Sequence, residues 1–223
     1  MAKKAETTYY SHTRRDIARL LPPQACRIVD VGCGAGATLR WLRTLYPDAH
    51  TIALEGNARL QEALTLSADE VQIVDLNEPV PELGRPDLML FLDVLEHLSQ
   101  PEAVLARFVE QLADGGTVIV SVPNVGHLSV ALPLLFDGRF KYADAGILDR
   151  THLRFFDVTS SVELVRGAGL RVDRKLVSLH GRKIRLLDSL SLGVMRSRLA
   201  EQLLIRGRQS GDGPSARAWG IAK

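Results

Sequence analysis

One segment of the chain reads Ile28-Val29-Asp30-Val31-Gly32-Cys33-Gly34-Ala35-Gly36, and about twenty residues later comes Ile52-Ala53-Leu54-Glu55. An apolar, β-branched run that breaks into glycines predicts a buried strand, a tight turn and a helix. The glycines let the backbone approach a ligand closely because they carry no Cβ. A carboxylate that ends the next strand can bind both hydroxyls of a ribose. The two segments together predict a site for an adenosine-containing cofactor.

The glycine pattern alone leaves two kinds of cofactor open. Gly32, Gly34 and Ala37 also fit the looser dinucleotide pattern Gly-x-Gly-x-x-Gly/Ala, so a nicotinamide-dependent oxidoreductase stays as an alternative. Asp30 lies two residues before the first glycine. A carboxylate there would repel a pyrophosphate but attract a cationic amino-acid group. Asp30 therefore favours a cofactor that carries an amino acid.

Several separate motifs resemble those of the class I S-adenosylmethionine-dependent methyltransferases. The resemblance covers roughly residues 9–178, and its motifs follow one another in the family's order. They are the glycine turn at 30–36, the ribose acid Glu55, the adenine-flanking pair Asp75-Leu76, the fourth-strand segment 91–98 and the turn 112–116 before the fifth strand. An ordered set of motifs is far more specific than any one of them.

The resemblance implies S-adenosylmethionine as the cofactor and S-adenosylhomocysteine as its product. Asp30 would hold the ammonium group, Glu55 the ribose, and Asp75 the exocyclic amine of adenine. The candidate cofactor-binding residues are Asp30, Gly32, Cys33, Gly34, Gly36, Glu55, Asn57, Asp75, Leu76, Leu92, Asp93, Tyr10 and Arg14.

A metal site is an alternative at the segment Asp93-Val94-Leu95-Glu96-His97. Some relatives, including a small-RNA 2′-O-methyltransferase and the ubiquinone O-methyltransferases, bind magnesium there through Glu-x-x-Glu-His. This chain has Asp93 in the first position, and the same run occurs in metal-free relatives. We therefore expect no metal, with Asp93, Glu96 and His97 as the set that would hold one.

Strands alternate with helices along most of the chain, which predicts right-handed crossovers. The expected fold is α/β: a Rossmann-like, doubly wound, mostly parallel seven-stranded sheet with helices on both faces. Strands are predicted near 27–31, 50–55, 71–74, 88–92, 117–122, 170–178 and 216–222, and helices near 9–21, 36–46, 57–66, 101–112 and 159–167.

We expect a single domain over residues 1–223, with residues 9–122 as its cofactor-binding half. Residues 123–157 interrupt the alternation, and long insertions in compact folds tend to be lids or binding loops. We predict that they form a lid over the acceptor. Residues 184–205 carry leucines among basic residues and predict an extra amphipathic helical segment, whose apolar face leaves a homodimer open.

Two histidines in the predicted lid are the candidates for a general base. Methyl transfer from a sulfonium is an in-line displacement, so the enzyme mainly aligns donor and acceptor and excludes water. A hydroxyl acceptor of high pKa also needs a group that removes its proton. His152 follows Asp149-Arg150-Thr151 and precedes two phenylalanines, and it is the first candidate; His127 is the second.

The composition is that of an ordinary globular protein, with 223 residues and 46% hydrophobic content. The sequence contains no run of eighteen apolar residues and shows no signal peptide, and Cys26 and Cys33 have no metal-ligand spacing. We therefore expect a cytoplasmic protein without a transmembrane segment.

Charge is distributed unevenly, although the net charge is only +2. Residues 150–223 carry 15 Lys and Arg against 6 Asp and Glu, which keeps an RNA or protein methyltransferase as an alternative. Only 5% of residues are aromatic and no segment resembles an RNA-stacking module, so nucleic acid is disfavoured as a partner. We expect a small-molecule or glycan-type acceptor, methylated at oxygen. A non-catalytic cofactor-binding protein is the remaining alternative.

Overall fold

The computed structural model describes residues 12–179, 184, 188, 189, 191 and 195–209. Within them, seven strands form one sheet. The strands are Arg27–Val31 (β1), His50–Glu55 (β2), Glu70–Ile73 (β3), Leu88–Leu92 (β4), Thr117–Pro123 (β5), Arg171–Ser178 (β6) and Gln202–Arg208 (β7). The α-helices are Ala37–Leu45 (α1), Gln61–Thr65 (α2), Pro101–Val109 (α3), Leu128–Asp137 (α4), Val158–Gly167 (α5) and Arg196–Leu199 (α6).

The strands lie in the order β3-β2-β1-β4-β5-β7-β6. Strands β1 to β5 pair in parallel, whereas β7 pairs antiparallel with both β5 and β6. This arrangement confirms the predicted Rossmann-like, mostly parallel, seven-stranded sheet. Ligands bind such sheets at the carboxyl ends of the strands, where the strand order reverses. In this chain the reversal lies between β1 and β4.

Two hydrophobic clusters cover the two faces of the sheet. Along β1, Val29 and Val31 belong to one cluster and Ile28 to the other, because successive side chains of a strand point to opposite faces. Helices α3 and α5 pack in the first cluster, while α1 and α2 pack in the second. The helices on both faces that the sequence predicts are therefore present.

The prediction of a helical segment over residues 184–205 is wrong at its carboxyl end, because Gln202–Arg208 is strand β7. The run Leu203-Leu204-Ile205 alternates between the two hydrophobic clusters, so its apolar residues serve both faces of a strand at the same time. The described part of the segment contains one short helix, α6. The predicted closing strand at 216–222 lies outside the described residues.

The predicted helix over residues 9–21 is also wrong over the residues that are described. Arg15–Arg19 forms a short 3-10 helix, and Arg14 before it has a non-helical backbone. The backbone N–H of Arg14 donates to Thr38 Oγ1 at 3.2 Å, and its guanidinium binds Asp93 and Ser121. These tertiary contacts outweigh the weak preference of ten residues for an isolated helix.

Residues 123–157 leave the carboxyl end of β5, at the edge of the sheet where the glycine turn also lies. Asn124 fastens the start of the segment: its side-chain amide donates to the carbonyls of Ser197 and Ala200, at 2.7 and 2.8 Å. Helix α4 follows, and a coil then returns to Phe156, which forms a bridge with Asn124.

Candidate active site

The glycine turn after β1 requires glycine for two physical reasons. Gly32, Gly34 and Gly36 all have positive φ angles, of 67°, 56° and 71°. A Cβ on Gly32 would lie 2.5 Å from Val94 Cγ2, and one on Gly36 would lie 2.5 Å from Ser67 Cβ. The turn is therefore packed closely against its neighbours, and a side chain at Gly32 or Gly36 would clash as well as strain the backbone.

Glu55, at the end of β2, holds this turn in place. One carboxylate oxygen accepts from the backbone N–H of Gly34 at 2.9 Å, and the other accepts from the backbone N–H of Asn57 at 2.9 Å. Asn57 uses its own side chain to cap the next turn, where it accepts from the N–H of Arg59. Glu55 is 8% exposed, so its carboxylate is oriented before any ligand arrives.

A cavity of about 370 Å³ opens beside Glu55. It is bounded by the glycine turn and by the carboxyl ends of β2 and β3. Asp75 lines it, and its carboxylate accepts from the backbone N–H and the side-chain amide of Asn77. The lining residues are Gly32, Leu54, Glu55, Gly56, Ile73, Val74, Asp75, Leu76 and Leu98. We call this space the cofactor cavity.

Asp30 lies beneath the glycine turn and is 2% exposed. Burial and, next, the negative charge of Glu55 raise the pKa of its carboxyl to about 7, against the opposing effect of Arg14. A buried carboxyl of this kind gains from a cation placed beside it. Burial also raises the pKa of the Cys33 thiol in the same turn, so Cys33 stays protonated and unreactive.

Arg14 ties the amino-terminal segment to the centre of the sheet. Its guanidinium donates to Asp93, Asp16 and the Ser121 hydroxyl, and the arginine is 9% exposed. It does not line the cofactor cavity. Tyr10, the other predicted cover of the cofactor, lies outside the described residues.

A second cavity, of about 470 Å³, opens between the ends of β4, β5 and β7 and residues 129–152. We call it the acceptor cavity. It is lined by Asp93, Glu96, Pro123, Ser129, Val130, Lys141, Ala143, Ala145, Gly146, Ile147, Leu148, Asp149, His152, Glu201 and Gln202. Asp93 lines this cavity, while its neighbour Val94 packs against Gly32 of the cofactor cavity. The two cavities therefore flank the carboxyl end of β4, where Leu92 ends the strand and Asp93 follows with a φ of 60°.

His152 brings a buried imidazole to the acceptor cavity. It is 8% exposed, and its Nδ1 lies 3.0 Å from the carbonyl oxygen of Ile147. A proton on Nδ1 satisfies this carbonyl and leaves Nε2 with a free lone pair. The ring packs edge-on against His97, with 4.8 Å between centroids. His97 Nδ1 lies 3.3 Å from the carbonyl of Thr151, so the two rings are held in the same way.

Glu96 completes a cluster with the two histidines. Glu96, His97 and His152 each have one atom that could bind a metal, and these three atoms lie within 4.8 Å of one another. Neither side-chain oxygen of Glu96 accepts a hydrogen bond from another described residue, although both are buried. Burial, and then the charge of Asp93, raises the pKa of Glu96 well above its usual range, and only its own backbone N–H and Arg14 oppose this. Burial and the neighbouring His152 lower the pKa of His97.

His127 takes a different place from the one that the sequence predicts. It is the N-cap of α4, where its Nδ1 accepts from the backbone N–H of Ser129 at 3.1 Å. It does not line the acceptor cavity. The structure therefore brings His152 to the cavity and leaves His127 at its periphery, as a structural cap.

The residues of the acceptor cavity that sequence reasoning missed as site residues include Lys141, Glu201 and Gln202. Lys141 lies in a coil with no periodic pattern, and Glu201 and Gln202 were expected in a helix. Gln202 also accepts from the Ser121 hydroxyl at 3.0 Å, beside Asp93. Recognising the apolar run 203–205 as a strand next to β5 is the signal that would have placed Glu201 and Gln202 at the cavity.

A family model described as a methyltransferase domain matches residues 5–175 of this chain. Among curated proteins, the ubiquinone biosynthesis O-methyltransferase of Cereibacter sphaeroides (strain ATCC 17029 / ATH 2.4.9) is 28% identical over 169 residues, which are 72% of this chain and 67% of that protein. The trans-aconitate 2-methyltransferase of Variovorax paradoxus is 28% identical over 114 residues. That match spans 48% of this chain and only 42% of the relative.

Solved structures show the same fold at low sequence identity. An S-adenosylmethionine-dependent methyltransferase from Mesorhizobium loti has a TM-score of 0.62 and 16% identity, over 87% of this chain and 96% of that one. A possible histamine N-methyltransferase from Thermotoga maritima has a TM-score of 0.64 and 17% identity, over 92% and 91%. The family match extends over more than half of the chain. The chain belongs to the S-adenosylmethionine-dependent methyltransferases.

Proposed function

We propose that this chain transfers a methyl group from S-adenosylmethionine to a hydroxyl of a small-molecule or glycan-type acceptor. The observation that carries this proposal is the pair of cavities on either side of the carboxyl end of β4. One is fitted to a nucleoside by its glycine turn and Glu55, and the other brings a buried histidine to its wall. The relatives named for trans-aconitate and for ubiquinone biosynthesis support an acceptor of small size.

The residues of the cofactor cavity, together with the buried Asp30 that precedes the glycine turn, fit S-adenosylmethionine chemically. The cofactor, when bound, supplies a methyl group already activated on a sulfonium. Glu55, which accepts from Gly34, would also accept from ribose hydroxyls, and Asp75, which accepts from Asn77, would accept from the adenine amine. Asp30 would bind the ammonium group. Burial raises the pKa of this carboxyl, and a cation beside it would favour the ionised form.

His152 is the group that we assign to proton removal from the acceptor. Its Nδ1 is engaged by Ile147, so Nε2 is the nitrogen that can take the proton of a hydroxyl. Residues 129–152 form one wall of the cavity, which supports the role of segment 123–157 as a lid that excludes water.

The test measures methyl transfer across pools of hydroxylated acceptors, together with calorimetric binding of S-adenosylhomocysteine. His152→Ala should lower turnover by about 10²–10⁴ while binding of S-adenosylhomocysteine stays the same. His127→Ala is the matched control and should leave turnover per folded molecule unchanged. Equal turnover of the His152 variant and wild type would remove His152 from the reaction, and failure to bind S-adenosylhomocysteine would contradict the assigned activity itself.

A specific observation supports a second candidate for the acceptor side, a divalent cation held by Glu96, His97 and His152. Both buried oxygens of Glu96 lack another described partner, and both histidines have Nδ1 engaged by a carbonyl. Engagement of Nδ1 is the usual way in which a protein orients a histidine to bind metal through Nε2. This set of ligands differs from the set that the sequence suggests, because His152 takes the place of Asp93.

Chelation separates the two candidates. If His152 acts as a free base, then dialysis against EDTA leaves turnover unchanged, and Glu96→Gln keeps most of it. If the cluster binds a cation, EDTA abolishes turnover, Mn²⁺ or Mg²⁺ restores it, and Glu96→Gln lowers the affinity for the ion. His50→Ala is the control, because His50 lies at the amino end of β2, away from both cavities.

A further inference from the structure

Exposed apolar side chains are concentrated in one segment of the chain, residues 132–153. Among the described residues, ten large hydrophobic side chains are exposed, and seven of them lie between residues 132 and 153. We call these seven the apolar patch: Leu132, Leu134, Leu135, Phe136, Phe140, Tyr142 and Leu153. Single exposed hydrophobic residues are ordinary, but a concentration of this kind marks a surface that something else covers.

Helix α4 carries the centre of the apolar patch. Residues 128–136 include no charged and no amide side chain, and Val130 is the only buried residue of the helix. Leu135 and Phe136 are 74% and 77% exposed. A surface helix normally turns a polar face to water, and a helix that is apolar on all sides requires an apolar environment.

Cationic side chains follow the helix directly. Arg139 and Lys141 are exposed, and neither forms an ion pair with a described residue. Arg150 also lies on this surface but is paired with Asp144 at 3.1 Å. The exposed acid Asp137 at the helix end is the nearest opposing charge in sequence. Arg139 and Lys141 outweigh Asp137, so the charge beside the patch that is not held in an ion pair between described residues is positive on balance, which complements lipid phosphates.

We propose that the apolar patch docks the protein on an anionic membrane surface. In this arrangement α4 lies in the plane of the interface, with Leu135 and Phe136 below the headgroups and with Arg139 and Lys141 at the phosphates. A bilayer fits this helix better than a protein partner does, because residues 128–136 offer no charged or amide group to fix a partner's orientation. No helix in the described residues is long and apolar enough to cross a bilayer, so docking is peripheral.

The acceptor cavity opens beside this surface. Val130 and Lys141 belong both to the cavity lining and to the segment that carries the patch. Docking would therefore bring the cavity close to molecules that reside in or on the membrane. The docking itself is independent of the proposed reaction, because it can be measured without cofactor or acceptor.

Flotation of the full chain with lipid vesicles tests the proposal. Wild type should float with phosphatidylcholine vesicles that contain phosphatidylglycerol, and high salt should weaken the binding. The double variant Leu135→Gln, Phe136→Gln should lower the partition coefficient by about a hundredfold, since it removes two inserted side chains. Arg139→Gln and Lys141→Gln should each lower it by about fivefold on anionic vesicles only.

Leu66→Gln is the matched control for the apolar variants. Leu66 is 84% exposed but lies between α2 and β3, at the opposite end of the strands from α4. It should float as wild type does. Absence of wild-type binding to anionic vesicles, or undiminished binding by the double variant, overturns the proposal. So does a wild-type dimer in solution that the double variant dissociates, because the patch would then be covered by a second copy. Unchanged circular dichroism of each variant excludes unfolding as the cause.

Discussion

The carboxylate of Glu55, at the end of β2, accepts a hydrogen bond from the backbone N–H of Gly34, at 2.9 Å, in the turn that follows β1. Two neighbouring parallel strands are thus joined at their carboxyl ends by one side chain. The same carboxylate faces the cofactor cavity, so a single residue shapes the turn and offers its remaining lone pairs to a ligand.

Replacement of Glu55 should therefore weaken both cofactor binding and the turn. For Glu55→Ala we expect a loss of S-adenosylhomocysteine affinity by about tenfold to a hundredfold, from charge-assisted bonds of about 1.5–3 kcal/mol each. Calorimetry measures the affinity, and Glu62→Ala, an exposed acid on α2, is the control. Affinity within twofold of wild type would contradict the assignment of Glu55 to the ribose.

Two glycine variants, Gly36→Ala and Gly115→Ala, separate the cost of a positive φ angle from the cost of a crowded Cβ. Both glycines have positive φ, but a Cβ on Gly115 has no atom within 4 Å, whereas one on Gly36 lies 2.5 Å from Ser67 Cβ. Gly115→Ala should cost only the left-handed backbone, about 1–2 kcal/mol. Gly36→Ala should cost about 1–3 kcal/mol more through overpacking. Urea denaturation measures both, and equal losses would show that the crowding at Gly36 relaxes freely.

Cofactor binding should depend on pH through Asp30. The pKa of about 7 in the folded chain lies above the ordinary value of 3.8, so the folded protein holds more protons than the unfolded one between these values. This group therefore makes stability fall as pH rises towards 7. An ammonium group prefers the ionised carboxylate, so affinity for S-adenosylhomocysteine should rise by about tenfold per pH unit up to 7 and then level off.

Asp30→Asn is the variant that checks this assignment. It should remove the pH dependence of S-adenosylhomocysteine binding and lower the affinity at pH 8. It should also stabilise the ligand-free protein at that pH, because a buried charge has been removed. Calorimetric titration and thermal melting across pH 5.5 to 8.5 give both quantities. An unchanged pH profile in the variant would assign the dependence to another group.

His127→Ala should affect stability rather than chemistry. The imidazole caps α4 by accepting from the N–H of Ser129, and loss of an N-cap costs about 1 kcal/mol. His127→Asn should restore most of this loss, because asparagine is a good N-cap residue. Chemical denaturation of both variants provides the measurement. A drop in turnover per folded molecule that Asn does not rescue would bring His127 back as a catalytic candidate.

The sequence predicted most of the fold, because short-range patterns determine it. The β-branched run that breaks at Gly32 placed β1, its turn and α1, and the unbroken apolar run 88–92 placed β4 as a strand buried on both faces. Asp30, Glu55 and Asp75 also lie where parallel topology puts the ends of consecutive strands, so their neighbourhood followed from strand order alone.

The rest depends on contacts between distant segments. Glu96 and His152 are 56 positions apart, and no local pattern indicates that the returning coil of segment 123–157 brings them together. The error at 184–205 has a similar origin. Leucines among arginines suit an amphipathic helix locally, yet Leu203 and Leu204 are needed on opposite faces of the sheet. Tertiary packing determines both the proximity of Glu96 to His152 and the strand conformation of residues 202–208.

Strand β7 is the last described strand in the chain but lies inside the sheet, between β5 and β6. A nascent chain that has been synthesised only as far as Ala200 therefore has both of these strands with an unpaired edge, and β5 is entirely apolar at its centre. Exposed edges of this kind recruit other strands and promote aggregation. The sheet therefore closes only when the chain is complete through Arg208, the end of the strand that joins β5 to β6.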